Sequence, residues 1–254
     1  MLVALIADIH GNLTALDAVL AELEQEGADQ VVCLGDVATG QQPVETLERL
    51  EAYGCPVIMG NWDACLLGAQ PSLDGKLGAE LERVLLAHAS WAAEQLSPAH
   101  RRYVESFRRS VEVELGDGST LLAFHGSPRS HGESIVATTS DEELERMLGR
   151  PKADVLAAAH THFQLFRRFG ESVIVNPGSV GLPFRRRQEG AMPIARWAEY
   201  GLVSYEEGRL AVELRRTAYD VEGFLRALRA SGLPHADWWA ELWAEDARAA
   251  PTRP

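Results

Sequence analysis

The feature that most constrains this chain is a repeated pairing of a short apolar run with a glycine-flanked polar residue. Leu2 to Ala7 runs into Asp8-Ile9-His10-Gly11-Asn12, Val31 to Leu34 into Gly35-Asp36, and Val57 to Met59 into Gly60-Asn61-Trp62-Asp63. Further on, Thr120 to Phe124 meets His125-Gly126, Asp154 to Ala159 meets His160-Thr161-His162, and Ser172 to Val175 closes in Asn176-Pro177-Gly178-Ser179. Short continuous apolar runs read as buried strands. In α/β sheets ligands collect beyond the carboxyl ends of strands, and glycine there lets the backbone turn sharply and come close to a bound group. The pattern predicts that Asp8, His10, Asp36, Asn61, His125, His160 and His162 meet in one place.

Helical patterns lie between these runs. Leu13, Leu16, Val19, Leu20 and Leu23 fall on one face after Asn12, a residue suited to capping. Pro43 opens a second helix with Val44, Leu47 and Leu50 on one side. The opening therefore reads β-α-β-α-β with parallel strands. Residues 77–107 are helical in pattern with a break at Ser97-Pro98, which predicts a helical cap inserted over about residues 70–109. Gly116-Asp117-Gly118 predicts a hairpin between Val111–Leu115 and Thr120–Phe124. A helix is expected near Asp141 to Leu148. Two or three strands follow (Ile194 to Ala198, Leu202 to Tyr205, Leu210 to Arg215), then C-terminal helices over about 219–248. Trp238, Trp239 and Trp243 are expected to seal the last helix onto the body. With no internal repeat or long linker, residues 1–254 read as one α/β domain.

Composition bounds the partners. Of 254 residues, 46% are hydrophobic, enough for a sizeable core. The net charge of −13 argues against non-specific binding to nucleic acid or membrane, because both are polyanions. Arg185-Arg186-Arg187 is a local basic run, read as a solvated turn. The three cysteines, Cys33, Cys55 and Cys65, form no CxxC pair, which favours a reducing compartment. Asp8 interrupts the first apolar run, so neither signal peptide nor membrane span is expected, and the cytoplasm is the expected location. A homo-oligomer stays open.

Imidazole, carboxylate and amide oxygen without thiolate suit manganese, iron, zinc or a similar ion. Asp8 and His10 are two apart, as are His160 and His162; on extended segments each pair would point to one side. Seven ligands are too many for one ion that also keeps water. They suit two ions sharing a bridge, an arrangement that clamps the attacking and leaving oxygens of a displacement at phosphorus. Among the neighbours, Asp63 is placed to orient the site, Asn12 and Trp62 to meet substrate, and Arg129 to hold a phosphate as a bidentate donor.

Taken in order, DIHGN, GD, GNWD, HG and AHTH, followed by NPGSVG, resemble the motifs of the calcineurin-like metallophosphoesterases, and NPGSVG is similar to their small prokaryotic phosphodiesterase branch. The resemblance spans residues 1 to about 181. It implies a two-sheet β-sandwich flanked by helices and two divalent ions, manganese first, with iron, zinc, nickel or cobalt as alternatives. Asp8, His10 and His162 would hold one ion, Asn61, His125 and His160 the other, with Asp36 bridging. It implies hydrolysis of a small phosphate-ester substrate, above all a phosphodiester, by a hydroxide between the ions, with Asn61 and Asp63 on the catalytic side. The chain departs from the family where a histidine thought to protonate the leaving group is replaced by Trp62. Indole cannot shuttle a proton at neutral pH, so diesters and good leaving groups are expected to be preferred. The superfamily also includes protein phosphatases, dinucleoside polyphosphate hydrolases and a non-catalytic retromer scaffold. Scaffold versions tend to lose ligands; here all seven are kept.

Overall fold

In β1 (Leu2–Ile6) every residue after Leu2 is buried, because the strand is covered on both faces. Val3 and Leu5 point into a core shared with Val113, Leu121, Val155 and Val175 of a second sheet. Ala4 and Ile6 point the other way, onto Leu16, Val19 and Leu20 of α1 (Leu13–Glu26) and Leu47 and Leu50 of α2 (Pro43–Tyr53). This period-two division makes the first two layers. The computed structural model describes residues 1–70, 79–149, 152–184 and 194–245. The Arg185–Arg187 run, part of the expected cap and the chain after residue 245 lie outside them.

The remaining elements are β2 (Gln30–Cys33), α3 (Asn61–Leu66), α4 (Ala79–Gln95), α5 (Pro98–Glu105), β3 (Ser110–Gly116), β4 (Ser119–Phe124), α6 (Asp141–Leu148), β5 (Val155–Ala157), β6 (Leu165–Phe169), β7 (Ser172–Asn176), β8 (Trp197–Glu206), β9 (Arg209–Ala218), α7 (Val221–Ala230) and α8 (Ala236–Glu245). One sheet has the order β2-β1-β8-β9 and the other β3-β4-β5-β7-β6. β1 runs parallel to β2, and β4, β5 and β7 are parallel to one another, so the loops that follow them carry the polar motifs on the same ends. Leu144 and Leu148 of α6 cover the outer face of the second sheet at Phe124, Leu156 and Ile174. The sandwich flanked by helices is therefore as the resemblance implies.

Three details differ from the sequence reading. Val57–Met59 forms no full strand, only bridges from Val57 to Cys33 and from Ile58 to Arg108. Pro56 brings no N–H and Gly60 turns the chain, leaving too few residues for a ladder. The expected short strands after Ile194 are one long hairpin, β8 and β9, paired from Trp197↔Ala218 to Glu206↔Arg209. Gly201, which looks like a break, pairs with Leu5 and Leu214 and lets Pro177 pack closely. α3 was not foreseen, since six residues carry too little periodicity.

α4, α7 and α8 share a separate core built on Val84, Phe224, Leu228, Trp239 and Trp243, the last with no exposure. The tryptophans seal α8 as expected. His88 of α4 joins this core: its Nε2–H donates to Pro234 O at 2.9 Å and its ring meets Trp239 edge-on at 5.2 Å. Burial lowers the His88 pKa to about 4. The unfolded chain therefore takes up this proton near pH 6.5 and the folded chain near pH 4, so the stability it contributes is complete above pH 6.5 and is lost as pH falls towards 4. Chemical denaturation at pH 7 and pH 4 should show the wild type losing about 3 kcal/mol more than His88→Gln over that window; equal losses would contradict this reading.

Candidate metal centre

The polar motifs leave the strands through an unusual backbone. Asp8, His10, Asp36, His160 and His162 have φ of +53°, +48°, +55°, +70° and +59°. The expected extended geometry of the Asp8/His10 and His160/His162 pairs is thus corrected: each pair converges through left-handed turns instead. Such residues cost about 1–3 kcal/mol each and persist only where surrounding contacts hold them, often at functional sites. Those contacts are present. Asp8 N donates to Gly35 O (2.9 Å), His10 N to Asp36 O (3.0 Å) and Gly11 N to Val37 O (2.9 Å), tying the loop after β1 to the loop after β2. On the other side, Gly181 N (3.0 Å) and Ser179 Oγ (2.7 Å) donate to Asp8 O. At Gly60 a Cβ would collide with Asp36 Oδ1, so only glycine allows this approach.

The seven side chains come together, six of them in two groups of three with Asn61 beside the second. Asp8, His10 and His162 form one and Asp36, His125 and His160 the other, with the ligand atoms of each within 4.8 Å of one another. In the first, His162 Nε2 lies 3.4 Å from Asp8 Oδ1 and 3.1 Å from His10 Nε2. In the second, Asn61 Oδ1 lies 2.8 Å from His160 Nδ1 and 3.1 Å from His125 Nε2. Asp36 Oδ2 sits between them, 3.4 Å from His125 Nε2 and 3.9 Å from His10 Nε2. Carbonyls behind the rings aim them: His125 Nδ1–H donates to Leu34 O (2.7 Å) and His162 Nδ1–H to Leu182 O (2.8 Å). Each ring is then held with Nε2 facing inward. The sequence does not reveal these backbone acceptors, because a carbonyl leaves no trace in residue identity.

Among the described residues, two carboxylate oxygens at the centre have no hydrogen-bond partner, Asp8 Oδ1 and Asp36 Oδ2. Their sister oxygens are engaged, Asp8 Oδ2 by His160 N (3.3 Å) and Asp36 Oδ1 by Trp62 N (2.8 Å). Asp8 and Asp36 are 0% and 1% exposed, so water does not compensate. Burial raises the Asp8 carboxyl well above its usual range. Burial would raise Asp36 too, but the charge of His125, with Nε2 3.4 Å from Asp36 Oδ2, holds it low. Burial would lower His125, yet the same partnership raises it to about 9; burial lowers His10 to about 4 and drives His162 down as well. Unpaired buried oxygens facing inward-turned imidazoles fit divalent cations, which would displace the protons these groups otherwise hold.

The remaining site candidates fall in different places. Trp62 is 8% exposed, and its ring lines a cavity beside His10. Asn12 caps α1, accepting from Ala15 N at 3.0 Å, and donates to Gly181 O at 3.3 Å; it lines the same cavity. Asp63 lies behind the ligands: its carboxylate accepts from Asp36 N (2.7 Å), Val37 N (2.8 Å) and Gly60 N (3.0 Å). It braces the Asp36 loop against the start of α3. Among the described residues, every side-chain hydrogen bond of Arg129 goes to Glu133, in an exposed ion pair. Thr39 and Gln41, which the motif pattern passes over, are buried in the cavity wall.

An α/β sandwich with paired oxygen–nitrogen clusters at its strand ends defines a metallohydrolase architecture. Residues 1–196 match the family model of the calcineurin-like phosphoesterase superfamily domain, and the chain belongs to that superfamily of phosphoric ester hydrolases. It is similar to phosphodiesterase YfcE of Escherichia coli K12, with 27% identity over 78% of this chain and 84% of that protein. Uncharacterized protein MJ0912 of Methanocaldococcus jannaschii is 25% identical over 94% of this chain and 96% of its own length. Among solved structures, a metallophosphoesterase from Sphaerobacter thermophilus superposes with a TM-score of 0.69 at 26% identity, covering 93% of this chain and 96% of that one.

Asp63→Asn leaves every ligand in place but removes one carboxylate oxygen from the three N–H groups it serves. Calorimetric titration with Mn²⁺ should show affinity reduced about 10–100-fold, as for other residues behind a metal shell. Unchanged affinity would show that the Asp36 loop needs no such brace.

Proposed function

We propose that the chain is a two-metal phosphodiesterase that acts on small phosphate esters, working as a single domain. The observation that carries this reading is the pair of unpartnered buried oxygens, Asp8 Oδ1 and Asp36 Oδ2, each facing histidine nitrogens. Asp8, His10 and His162 would hold one ion and Asn61, His125 and His160 the other, with Asp36 Oδ2 between them. Manganese is the first choice, because the donors are imidazole nitrogen and carboxylate or amide oxygen with no thiolate. Two bound ions supply an activated nucleophile and neutralise charge that develops on the phosphoryl oxygens.

The chain's own residues shape the rest. Leu34 O and Leu182 O fix the ring orientations, and the Trp62 N–H holds one Asp36 oxygen so that the other faces the centre. The Trp62 indole has no proton to exchange at neutral pH. Leaving groups that depart without help are therefore favoured, which supports aryl and other activated diesters over alkyl monoesters. Retention of all seven ligands in a strained pocket argues against a scaffold role. Three free cysteines fit a reducing compartment such as the cytoplasm. Among the described residues no helix is long and apolar enough to cross a membrane.

With Mn²⁺ added, turnover of bis(p-nitrophenyl) phosphate should exceed that of an alkyl phosphomonoester, and Asp36→Asn should lower kcat by about 10³-fold or more, roughly 4 kcal/mol of barrier. Faster alkyl monoester cleavage would overturn the diester preference, and an unchanged kcat in Asp36→Asn would overturn the site.

A further inference from the structure

We propose that Gly40 and Gly181 are positioning residues for the ion of Asp8, His10 and His162: they let two loops abut the main chain between Asp8 and Gly11, and so fix where Asp8 and His10 present their ligand atoms. This rests on reading the clusters as a two-metal site. Gly40 lies in the loop between β2 and α2, and Gly181 in the loop after β7. A Cβ at Gly40 would stand 1.8 Å from His10 O, and a Cβ at Gly181 1.8 Å from Ile9 O. Both obstacles are backbone atoms, so no change of rotamer relieves them. Nor does either glycine answer a need of its own turn. Neither has the positive φ that by itself would call for glycine. What excludes a side chain at each position is the close approach to the ligand-bearing loop.

The size of the clash decides what a side chain would do. A Cβ does not approach another heavy atom within 3.0 Å, so one partner must retreat by more than about 1 Å. Metal–ligand distances hold to within about 0.2 Å. Either retreat disturbs the first ligands. If the loop from Asp8 to Gly11 moves, Asp8 and His10 move with it. If the Gly181 loop moves instead, it gives up the bonds from Val180 N to Ala7 O (2.8 Å) and from Gly181 N to Asp8 O (3.0 Å), which hold the positive φ of Asp8. The β2–α2 loop is tied in the same way, since Val37 O accepts from Gly11 N at 2.9 Å and Asp36 O from His10 N at 3.0 Å. The other cluster is anchored separately. Asp63 braces Asp36 N and Val37 N, Trp62 N holds Asp36 Oδ1, and Asn61, His125 and His160 come from other loops. A methyl group at position 40 or 181 should therefore remove one ion and leave its neighbour.

Manganese binding tests this without turnover. The full chain is titrated with Mn²⁺ by calorimetry as wild type, Gly40→Ala, Gly181→Ala and Gly54→Ala. Gly54 is the comparison: its φ of +79° strains any side chain, but nothing lies within 4 Å of a Cβ there. The wild type should bind two ions. Gly40→Ala and Gly181→Ala should each bind one of them about 10–100-fold more weakly. Anomalous diffraction from these variants should lose the peak among Asp8, His10 and His162 and keep the one among Asn61, His125 and His160. Gly54→Ala should lower Tm by about 2–4 °C and still bind two ions as the wild type does, as expected of a change that touches stability alone. Wild-type affinity for both ions in either loop variant would overturn the proposal, as would the same weakening in Gly54→Ala or loss of the other peak. A wild type that binds fewer than two ions defeats the two-metal reading, and the positioning role falls with it. Should one loop variant not fold, the other carries the comparison; should neither fold, the glycines serve folding and the proposal is overturned.

Discussion

Asp8 and Asp36 are both buried, each with one oxygen secured by a backbone N–H and the other without a hydrogen-bond partner among the described residues. Burial of an ionised carboxylate is costly unless charge or hydrogen bonds compensate it. His125 compensates Asp36, and Asp8 is driven towards its neutral form. Everything else near the clusters is arranged around that tension. His10 and His162 are held neutral by burial, with Nε2 atoms 3.1 Å apart. Cations placed among these groups would relieve the unpaired oxygens and occupy the lone pairs together, so metal binding and local stability are one linked quantity.

The sandwich supplies the rigidity that such a site needs. Its left-handed turns at Asp8, His10, Asp36, His160 and His162 are held by three neighbouring loops that bond to one another through main chain. Asp63 adds a carboxylate beneath the Asp36 turn. β8 lies between β1 and β9, so residues beyond 196 complete the sheet from which the first ligands project. The helices α4, α7 and α8 then close over one side of the clusters and create the cavity at His10.

Much of this was legible in the sequence because strand ends and helix faces leave periodic traces. The run Leu2–Ala7 followed by Asp8 announces a buried strand with a polar exit, and Leu13, Leu16, Val19, Leu20 and Leu23 announce the face of α1. The seven ligand candidates were legible together because histidine rarely recurs at such exits without a shared purpose. What stayed hidden has physical reasons. Positive φ at His10 or His162 depends on loops distant in sequence, so local spacing suggested extended pairs instead. Val57–Met59 looks like a strand but lacks the length to pair fully beside Pro56. Arg129 looks available for an anion until Glu133, four residues on, is seen to hold it. Thr39 and Gln41 sit in a polar stretch that reads as an ordinary loop, and only packing against α4 and α8 makes it an interior wall.

The central claim is that these groups hold two cations at once. Anomalous diffraction from crystals of the Mn²⁺-loaded protein tests it directly. Two peaks about 3.5–4 Å apart are expected, one among Asp8, His10 and His162 and the other among Asn61, His125 and His160, with Asp36 reaching both. A single peak, or peaks away from these residues, would contradict the account.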